Sequence, residues 1–481
     1  MTNSVATLSK RKSNRHRFFN VDLSKLAISV VGLLSATISY QALASGSSSE
    51  LPSEPTPYLS DAELPERTAP LLELGQDFLG TGNISPGFTI PTGAVWQPSL
   101  WVYGNFRSAV QYYEAKSDGK DRSEWMNRLD LFANLQLTGT ERVLLGLTPL
   151  HKDNEFSGYT RKLEADRGSV ENYNHRVRTF FFEGDLAEIF PRWDSTDSMA
   201  NDVGISLGRQ NVIFQNGMFI NDMLDGVGFS KNNINFTNIP SIVNIRSSFF
   251  YAWNEVHRED NQDDNDADLY ALMTQIDTTT STINIDFAYV DADELTGNLF
   301  VSSIDATQRI GKVNTTFRIA NSHTDDEETT QSSTGTLLFS EVSWTPAHSN
   351  NLAYINTFAA IDNYTSAARD SLAGGPLGRV GLLYAASGIG TYPSPLSNRA
   401  NEAYGFSMGY QFISADWRRQ FIVEIGARNS DANNEDRQYG IACRFQQAIG
   451  RRLIVQLDGF IVEDRVFGSN HGTRAEIQVK F

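Results

Sequence analysis

Residues 474–481 read Arg-Ala-Glu-Ile-Gln-Val-Lys-Phe, and this closing stretch indicates the fold. Every second residue from Ala475 to Phe481 is apolar or aromatic, and the residues between them are charged or carry an amide. Alternation with a period of two is the pattern of a strand with one wet and one apolar face. A strand that ends a chain on an aromatic residue is typical of a bacterial outer-membrane β-barrel, in which the last strand pairs with the first. The terminal strand of a soluble sheet is the alternative.

The same alternation recurs from about residue 100 to the C-terminus, most clearly at Leu129, Leu131, Ala133, Leu135 and Leu137. In outer-membrane barrels the periplasmic turns are short and the extracellular loops are longer. The links between strand-like segments alternate in this way. Short links fall near 139–141, 187–200, 237–241, 279–281, 310–312, 346–349, 414–418 and 449–451. Long or polar links fall near 115–123, 151–173, 211–225, 256–267, 292–298, 323–334, 363–402, 430–436 and 464–472. We therefore predict an all-β fold over residues 99–481, a transmembrane antiparallel β-barrel of about 18 strands with both termini in the periplasm; 16 strands is the alternative.

The N-terminal region has the order of a secretory signal. Six basic residues precede an apolar run from Leu26 to Ile38, and Ala42-Leu43-Ala44 follows as a cleavage site. The run of 13 residues is shorter than the roughly 20 that a spanning helix needs. We predict a signal peptide over residues 1–44, cleaved after Ala44, and export to the bacterial outer membrane. Residues 45–98, rich in Ser, Pro, Glu and Gly, are predicted to be a flexible periplasmic segment, or alternatively a plug of the lumen.

The charge of the chain excludes nucleic acid as a partner. Removing residues 1–44 takes away six of the 40 basic residues and one of the 57 acidic residues, which leaves 34 basic and 56 acidic residues and a net charge of −22. Nucleic-acid binding needs a basic surface. The 29 Phe, 17 Tyr and 7 Trp suit a barrel that faces lipid. With Cys443 as its one cysteine, the chain has no internal disulfide and no cysteine metal cluster.

No pattern of residues predicts catalysis. The sequence has neither a Gly-x-Ser-x-Gly elbow nor a His-Glu-x-x-His helix, and His151 and His175 flank a long link where an isolated histidine is usually a surface residue. We expect no enzyme activity and no cofactor. Asp264, Asp266 and Asp268 have the spacing that begins a calcium loop, but the glycine and the terminal Glu of an EF-hand are missing. A solvated loop that holds divalent ions only loosely, near lipopolysaccharide, is the favoured interpretation.

Positive charge is enriched on the faces opposite the apolar ones. These predicted pore-lining residues are Arg107, Arg128, Arg176, Arg178, Arg246, Arg318, Arg428, Arg444 and Arg474. Acidic residues on the same faces are Asp130, Asp286, Glu341, Glu424, Asp458 and Glu476. Arginine binds carboxylates through a planar fork, and rings of basic residues favour anions in a pore. The excess predicts an anion-selecting lumen; the alternative is that these arginines pair with the acids and brace the barrel wall.

The link 363–402 is the second functional candidate. It contains Gly374, Gly375, Tyr384 and Tyr392, and it is too long and too apolar to extend freely into water. Ordered links of this length are usually functional. We predict that it folds into the barrel as a constriction or gate; an external lid or a contact with a partner is the alternative.

One motif resembles a known family. Gly208-Arg209-Gln210, followed by Phe219-Ile220-Asn221-Asp222 and Asp225-Gly226-Val227, resembles a stretch of the alginate-export family of outer-membrane proteins. The resemblance implies a monomeric, arginine-lined pore that exports an anionic exopolysaccharide, has loops as gates and works with periplasmic secretion partners. Arg209 and Asp225 carry over by motif. Strand parity, however, places Arg209 on the lipid side or at a strand end.

Together these observations predict a pore for an anionic solute, most concretely an exported uronate-type polysaccharide that passes by facilitated diffusion. A substrate-specific uptake porin for small anionic solutes is the first alternative, and a plugged structural or adhesive barrel is the second. The other expected partners are outer-membrane lipid and lipopolysaccharide.

Overall fold

The computed structural model describes residues 68–76, 86–115, 120–162, 167–193, 202–236, 238–293, 296–325, 329, 331–430 and 436–481. The predicted signal peptide lies outside these residues, so cleavage after Ala44 stays a prediction. The one α-helix of the described residues is α1 (Leu186–Ile189), and 3₁₀ turns cover Gln215–Gly217 and Pro376–Arg379. None of the described helices has the length and apolarity that crossing a membrane requires.

Strands make up most of the described chain and are numbered in chain order. They are β1 (Leu72–Leu74), β2 (Phe88–Thr89), β3 (Val95–Trp96), β4 (Ser99–Ala115), β5 (Lys120–Gln136), β6 (Arg142–Leu147), β7 (His151–Lys152), β8 (Glu155–Lys162), β9 (Arg167–Val170), β10 (Val177–Asp185), β11 (Val203–Phe214), β12 (Ile220–Ile234), β13 (Ile242–Asn254), β14 (Val256–His257), β15 (Asp263–Asp264), β16 (Asp268–Thr278), β17 (Ser281–Asp291), β18 (Leu299–Ile310), β19 (Val313–His323), β20 (Gly335–Trp344), β21 (Leu352–Asn363), β22 (Ala368–Arg369), β23 (Asn401–Ile413), β24 (Arg419–Ser430), β25 (Asp436–Ile449), β26 (Leu453–Asp464) and β27 (Gly468–Lys480).

Eighteen of these strands form one closed antiparallel ring. Its order is β4, β5, β6, β10, β11, β12, β13, β16 to β21, and β23 to β27, and β27 pairs with β4 to close it. The predicted barrel of 18 strands is confirmed. All eight predicted short links fall between neighbouring strands of the ring, because a hairpin between antiparallel strands needs only a few residues.

Alternation along each strand gives the ring two different faces. On β5 the leucines point outward, whereas Arg128 and Asp130 point into the lumen. Large apolar side chains stay exposed on the outside of the isolated chain, as a lipid-covered surface requires. They include Phe180, Leu207, Phe229, Phe249, Leu272, Phe287, Phe300, Phe317, Phe406, Ile425, Ile441 and Ile461.

The C-terminal residue completes the seam of the barrel. The Gly104 N–H donates to the Phe481 carbonyl at 2.7 Å, and the Phe481 N–H donates to the Gly104 carbonyl at 3.1 Å. Beyond this point β1 pairs with residues 100–102 of β4, so the free edge below the seam is also covered. Together with the β2–β3 hairpin, β1 gives regular structure to part of segment 45–98, which was predicted to be irregular.

Two links fold into the lumen. At the tip of the β11–β12 hairpin, residues 210–214 and 220–224 pair with each other but with neither neighbouring wall strand; we call residues 210–224 the inward hairpin. Its buried Met218, Phe219 and Leu224 pack into one apolar core with lumen-facing residues of the wall. The core residues on that wall include Leu269, Val290, Leu299, Val301 and Leu337. Residues 364–400, the lumen loop, follow the hairpin inward, since β22 pairs in parallel with the start of β12.

The seam generates the first prediction. A Cβ on Gly104 would lie 2.7 Å from the Phe481 ring and 2.7 Å from the Asp130 carbonyl. We expect Gly104→Val to destabilise the folded barrel by about 1–3 kcal/mol, the usual cost of overpacking. The measurement is the temperature at which the folded, fast-migrating band disappears on SDS gels. Gly139→Val is the control, because nothing lies within 4 Å of a Cβ there. Equal melting of the two variants would contradict the prediction.

Candidate functional site

The inner cavity, of about 670 Å³, is the larger opening beside the inward hairpin. The β4, β5, β6 and β10 wall lies on one side of it, and the inward hairpin and lumen loop lie on the other. Its polar or charged lining residues are Asn105, Arg128, Asp130, Arg142, Thr148, Arg178, Thr179, Glu183, Gln210, Asn211, Asn221 and Asp370. Its apolar lining includes Phe132, Leu144, Leu147, Phe181, Met223 and Leu372. The inner cavity therefore lies along the wall of β4 to β10, and the apolar core packs against β16 to β20.

The outer cavity, of about 570 Å³, lies next to the inner one on the side of the long links. Its lining residues are Lys152, Asp153, Asn174, Arg176, Arg209, Glu255, His257, Asn261, Gln262, Asp263 and Ser371. Ser371 lines the outer cavity, whereas its neighbours Asp370 and Leu372 line the inner one. Three consecutive residues of the lumen loop thus form the boundary between the two cavities.

Three arginines face the inner cavity and differ in how many donors they have left. Arg128 binds both oxygens of Asp130, at 2.8 and 3.1 Å, and donates to the Gly388 carbonyl at 3.0 Å. Arg142 places Nε 2.5 Å from Glu183, and Arg178 donates from Nη2 to Asp370 at 2.7 Å. Within the described residues, no other hydrogen bond engages Arg142 or Arg178. A guanidinium has five N–H donors, so both side chains keep donors for a ligand in the cavity.

The motif residues Arg209 and Asp225 lie opposite each other on β11 and β12 and form a two-pronged ion pair, with both N–O distances 2.7 Å. Arg209 has the parity of the lipid-facing Leu207, as predicted, yet its guanidinium lines the outer cavity. The pairing of β11 with β10 stops at Arg209, where the inward hairpin begins to leave the wall. Of the two positions that parity allowed, the lipid side or a strand end, Arg209 has the second, because the part of β11 that pairs with β10 ends there.

Glu255 joins the two arginines of the outer cavity. Its carboxylate lies 2.9 Å from Arg209 and 2.7 Å from Arg176, and Arg176 also binds Asp153. Arg209 and Arg176 therefore have fewer free N–H donors than Arg142 and Arg178 of the inner cavity. The outer cavity carries paired charge, and its arginines mainly connect the links that surround it.

A buried cluster stands behind the boundary between the cavities. His257 Nδ1 lies 2.9 Å from Asp222, which also accepts the backbone N–H of His257 at 2.9 Å. Burial alone would lower the pKa of His257, but the hydrogen bond and charge of Asp222 outweigh it and raise the pKa to about 9. The side chains of Asp222, His257 and Asp370 offer ligand atoms within 4.8 Å of one another, a geometry that could hold a metal ion. An imidazolium of this kind instead satisfies the carboxylates without a metal.

Two of the three acids with calcium-loop spacing contact protein groups: Asp264 lies 3.4 Å from Arg258, and Asp268 accepts a hydrogen bond from Tyr251 at 3.4 Å. One histidine interpretation needs correction. His151, interpreted from the sequence as a surface residue, is buried and stacks on Phe156. Burial, reinforced by the nearby Arg128 charge, lowers the pKa of His151 to about 4, so the ring is neutral. His175 is exposed, as expected for a residue of a surface link.

Many of the predicted pore-lining arginines hold protein groups. Arg107 and Arg474 both donate to the Ser387 carbonyl, at 3.2 and 3.4 Å, and Arg428 donates to the Arg399 carbonyl at 3.2 Å. The remaining contacts are ion pairs with acids of the wall. They are Arg107–Glu476, Arg318–Asp305, Arg444–Asp458 and Arg474–Asp458. Arg246 lines a third cavity of about 460 Å³ together with Arg318. Most of the predicted pore-lining arginines therefore bind acids or carbonyls of the protein, as in the alternative that they brace the barrel wall.

The lumen loop is fastened at several points. Glu424 accepts the N–H groups of Leu382 and Leu383 at 2.9 and 2.7 Å, and Glu124 accepts that of Thr391 at 2.7 Å. Arg107 and Arg474 bind the Ser387 carbonyl, and Arg128 binds the Gly388 carbonyl. The loop therefore uses both polar groups of its backbone to attach to one arc of the wall, from β24 through β27 and β4 to β5.

The four residues proposed for the gate have structural contacts. Tyr384 is fully buried and donates to the Ala427 carbonyl at 2.8 Å, and Tyr392, 8% exposed, packs edge-on against Tyr113 and Phe460. A Cβ on Gly374 would lie 2.9 Å from Asn398, and one on Gly375 would lie 2.2 Å from the Asn398 carbonyl. These residues seat the loop in the lumen, and none of them lines the inner cavity.

Three residues in or near the two cavities were not singled out from the sequence. Arg142 has the parity that identified the other lumen arginines, so the same rule would have found it. Arg369 and Asp370 have no such signal, since they lie inside a long link without periodicity. Arg369 is buried and donates to the carbonyls of Ala373, Gly374 and Gly375 at 2.8–3.0 Å. Burial lowers its pKa to about 10, which leaves it cationic near neutral pH.

Comparisons with solved structures identify the barrel type. The fold is similar to OccAB2 of Acinetobacter baumannii, with a TM-score of 0.52 and 12% identity over 79% of this chain and 98% of that chain. It is also similar to the outer membrane protein opdK of Pseudomonas aeruginosa, with a TM-score of 0.50 and 10% identity over 79% and 98% of the two chains. OccK2 (OpdF) of Pseudomonas aeruginosa, in complex with glucuronate, gives 0.51 and 10% over 79% and 98%. No protein-family model matches the chain, and no curated protein matches it.

These likenesses establish a porin-like outer-membrane barrel, and the predicted location in the bacterial outer membrane is confirmed. They do not support the alginate-export family specifically. The prediction of polysaccharide export is wrong: the solved structures to which this chain is similar include Occ and Opd proteins, one of them in complex with glucuronate, and they favour the alternative of an uptake porin. The physical reason is visible in the lumen, where the apolar core and the fastened loop leave only compact cavities.

The buried pair generates a pH prediction. We expect the His257 imidazole to titrate with a midpoint near 9 instead of 6.5, because Asp222 stabilises its charged form. The raised pKa means that protonation of His257 stabilises the fold fully below about 6.5 and that this stabilisation is lost as the pH rises through about 9. Burial raises the pKa of Asp222 to about 6, so the ion pair itself is present between about pH 6 and 9. The measurement is NMR of histidine ring nitrogens, with His257→Gln for assignment. Asp222→Asn should lower the midpoint; a wild-type midpoint at or below 6.5 would contradict the pairing.

Proposed function

We propose that the protein is an uptake porin that passes small carboxylate-bearing solutes through the inner cavity by facilitated diffusion. The observation that carries the proposal is the pair Arg142 and Arg178, which line this cavity and keep uncommitted N–H donors. Arginine to carboxylate hydrogen bonds are charge-assisted and are often two-pronged. A solute carboxylate can therefore recover in the cavity the hydrogen bonds that it loses with water.

Donor count, and not net charge, supports the selection of anions. Arg128, Arg142 and Arg178 face the cavity together with Asp130, Glu183 and Asp370, so the formal charges balance. The acids each occupy only part of a guanidinium fork, except at Arg128, where Asp130 binds both prongs. The surplus N–H donors of Arg142 and Arg178 can therefore bind an anion.

Cavity size and shape support a small solute. The inner cavity of about 670 Å³ lies in the range of ordinary small-molecule sites. A polymer chain would have to pass the boundary residues and the fastened lumen loop. One wall of the cavity carries Phe132, Leu144 and Phe181, so a solute with an apolar face opposite its carboxylate would contact both kinds of surface.

Transport by a single chain is part of the proposal. One chain closes the barrel and lines both cavities, so the functional unit is a monomer, and selection of the solute requires no chemical step. The solved complex of OccK2 with glucuronate supplies a suitable test compound, because glucuronate is a small sugar acid. The second candidate is a plugged structural barrel, which the apolar core of the lumen favours and which predicts no conductance at all.

Planar-bilayer recordings and liposome swelling test the proposal. We expect the wild type to prefer anions over cations and to pass glucuronate faster than uncharged glucose. Arg178→Gln and Arg142→Gln should each reduce the preference for glucuronate by about 5- to 10-fold, because each removes charge-assisted hydrogen bonds. Arg246→Gln is the matched control, since Arg246 lines a different cavity. Cation selectivity, equal permeation of both sugars or a closed channel would each overturn the proposal.

A further inference from the structure

Asp370 occupies a particular place on the proposed route. It lies on the inner side of the boundary between the two cavities, and its neighbour Ser371 lies on the outer side. Its carboxylate binds Arg178, one of the two arginines with donors left for a solute. The carboxylate of Asp370 is thus bound to the same guanidinium, that of Arg178, which binds the carboxylate of the solute in the proposed function.

The contact between the two side chains is a single one. Arg178 Nη2 donates to Oδ2 of Asp370 at 2.7 Å, and Oδ1 accepts the Leu372 N–H at 2.9 Å. A two-pronged pair, like that of Arg209 with Asp225, would have to lose two hydrogen bonds at once. The single contact can be exchanged for another carboxylate with the loss of one hydrogen bond and the gain of one or two.

The backbone around Asp370 is fixed, so only the side chain can move. Its N–H donates to the Asn221 carbonyl at 2.9 Å, and its carbonyl accepts from Asn261 at 3.0 Å and from the Ala373 N–H at 2.9 Å. The guanidinium of Arg369 binds the carbonyls of the turn that follows. Opening of the boundary therefore needs no movement of the loop.

A second cation, His257, lies near the Asp370 carboxylate. His257 lies in the same buried cluster, with ligand atoms of His257, Asp222 and Asp370 within 4.8 Å of one another. The imidazolium of His257 is bound to Asp222, and a carboxylate oxygen of Asp370 lies within 4.8 Å of the ligand atoms of both residues. The carboxylate of Asp370 would thus remain close to positive charge after leaving Arg178.

We propose that Asp370 is a built-in competitor for the solute, a carboxylate that occupies Arg178 in the empty channel and yields it only to another carboxylate. This inference rests on the proposed function and adds a residue that determines specificity. A neutral solute cannot replace the ion pair and meets a closed boundary. An anionic solute exchanges one carboxylate for another, so the exchange conserves the charge next to Arg178. Asp370 also weakens the retention of the solute, which speeds its release.

Asp370→Asn tests the proposal, because the amide keeps the size of the side chain and an oxygen for the Leu372 N–H. The probe is glucuronate, added to bilayers that hold the full-length folded barrel, and the readout is the concentration that half-blocks the current. We expect half-block at a concentration at least 3-fold lower than in the wild type, longer block events, and a reversal potential shifted further towards anions. Glucose should also pass faster, since the ion pair no longer closes the boundary.

Glu341→Gln is the matched control, because Glu341 pairs with Arg379 of the same loop at 3.5 Å and neither residue lines the inner cavity. The double variant Asp370→Asn with Arg178→Gln asks whether Asp370 acts through Arg178. We expect Asp370→Asn to have no effect in that background. If the single variant does not give the folded band on SDS gels, Asp370→Ser replaces it, because its hydroxyl can still accept a hydrogen bond.

The outcomes separate this inference from the function on which it rests. A wild type that selects glucuronate, together with an Asp370→Asn variant whose half-block is unchanged or weaker, overturns the competitor and leaves the porin in place. An effect of Asp370→Asn that persists without Arg178 also overturns it. A wild type that glucuronate does not block overturns the proposed function and the competitor together.

Discussion

The structure depends on one requirement, that every backbone N–H and C=O at membrane depth has a hydrogen-bond partner within the protein. Hydrocarbon offers no replacement for water, and an open sheet edge would leave a row of unpaired groups. The ring of 18 strands meets this requirement by pairing β27 with β4, and the terminal carbonyl of Phe481 extends the seam to Gly104. The absence of a side chain at Gly104 lets the Phe481 ring lie against the strand. Closure of the ring leaves a wide lumen, which side chains or water must fill.

Filling of the lumen follows from the same requirement. The inward hairpin gives up pairing with both wall strands, so its backbone must find partners inside the barrel. It obtains them from its own two strands and from the lumen loop, and its apolar tip buries itself against the inner faces of β16 to β20. One side of the lumen becomes a hydrophobic core, and the inner cavity lies along the wall of β4 to β10. The position of the inner cavity is thus a consequence of where the hairpin could satisfy its hydrogen bonds.

Charges inside the barrel serve two purposes that residue type alone does not distinguish. Carboxylates of Glu124 and Glu424 hold backbone amides of the lumen loop, and arginines on the same arc of the wall hold its carbonyls. A loop fastened at both polar groups of its backbone cannot swing as one body. Selectivity is then left to side chains at the boundary, where a single-contact ion pair can exchange partners while the main chain stays in place.

The sequence by itself determined the barrel, its 18 strands and the lumen side of most arginines, because lipid on one face and water on the other impose a local period of two. The same rule also places Arg142 on the lumen side, although the residue was not singled out from the sequence. Only the tertiary structure decided which of these arginines remain available. Arg107 is bound by Glu476, 369 residues away, and no local pattern encodes such a pair. Arg209 shows the limit most clearly: its parity is that of a lipid-facing residue, but the strand leaves the wall at that point and turns the side chain towards water.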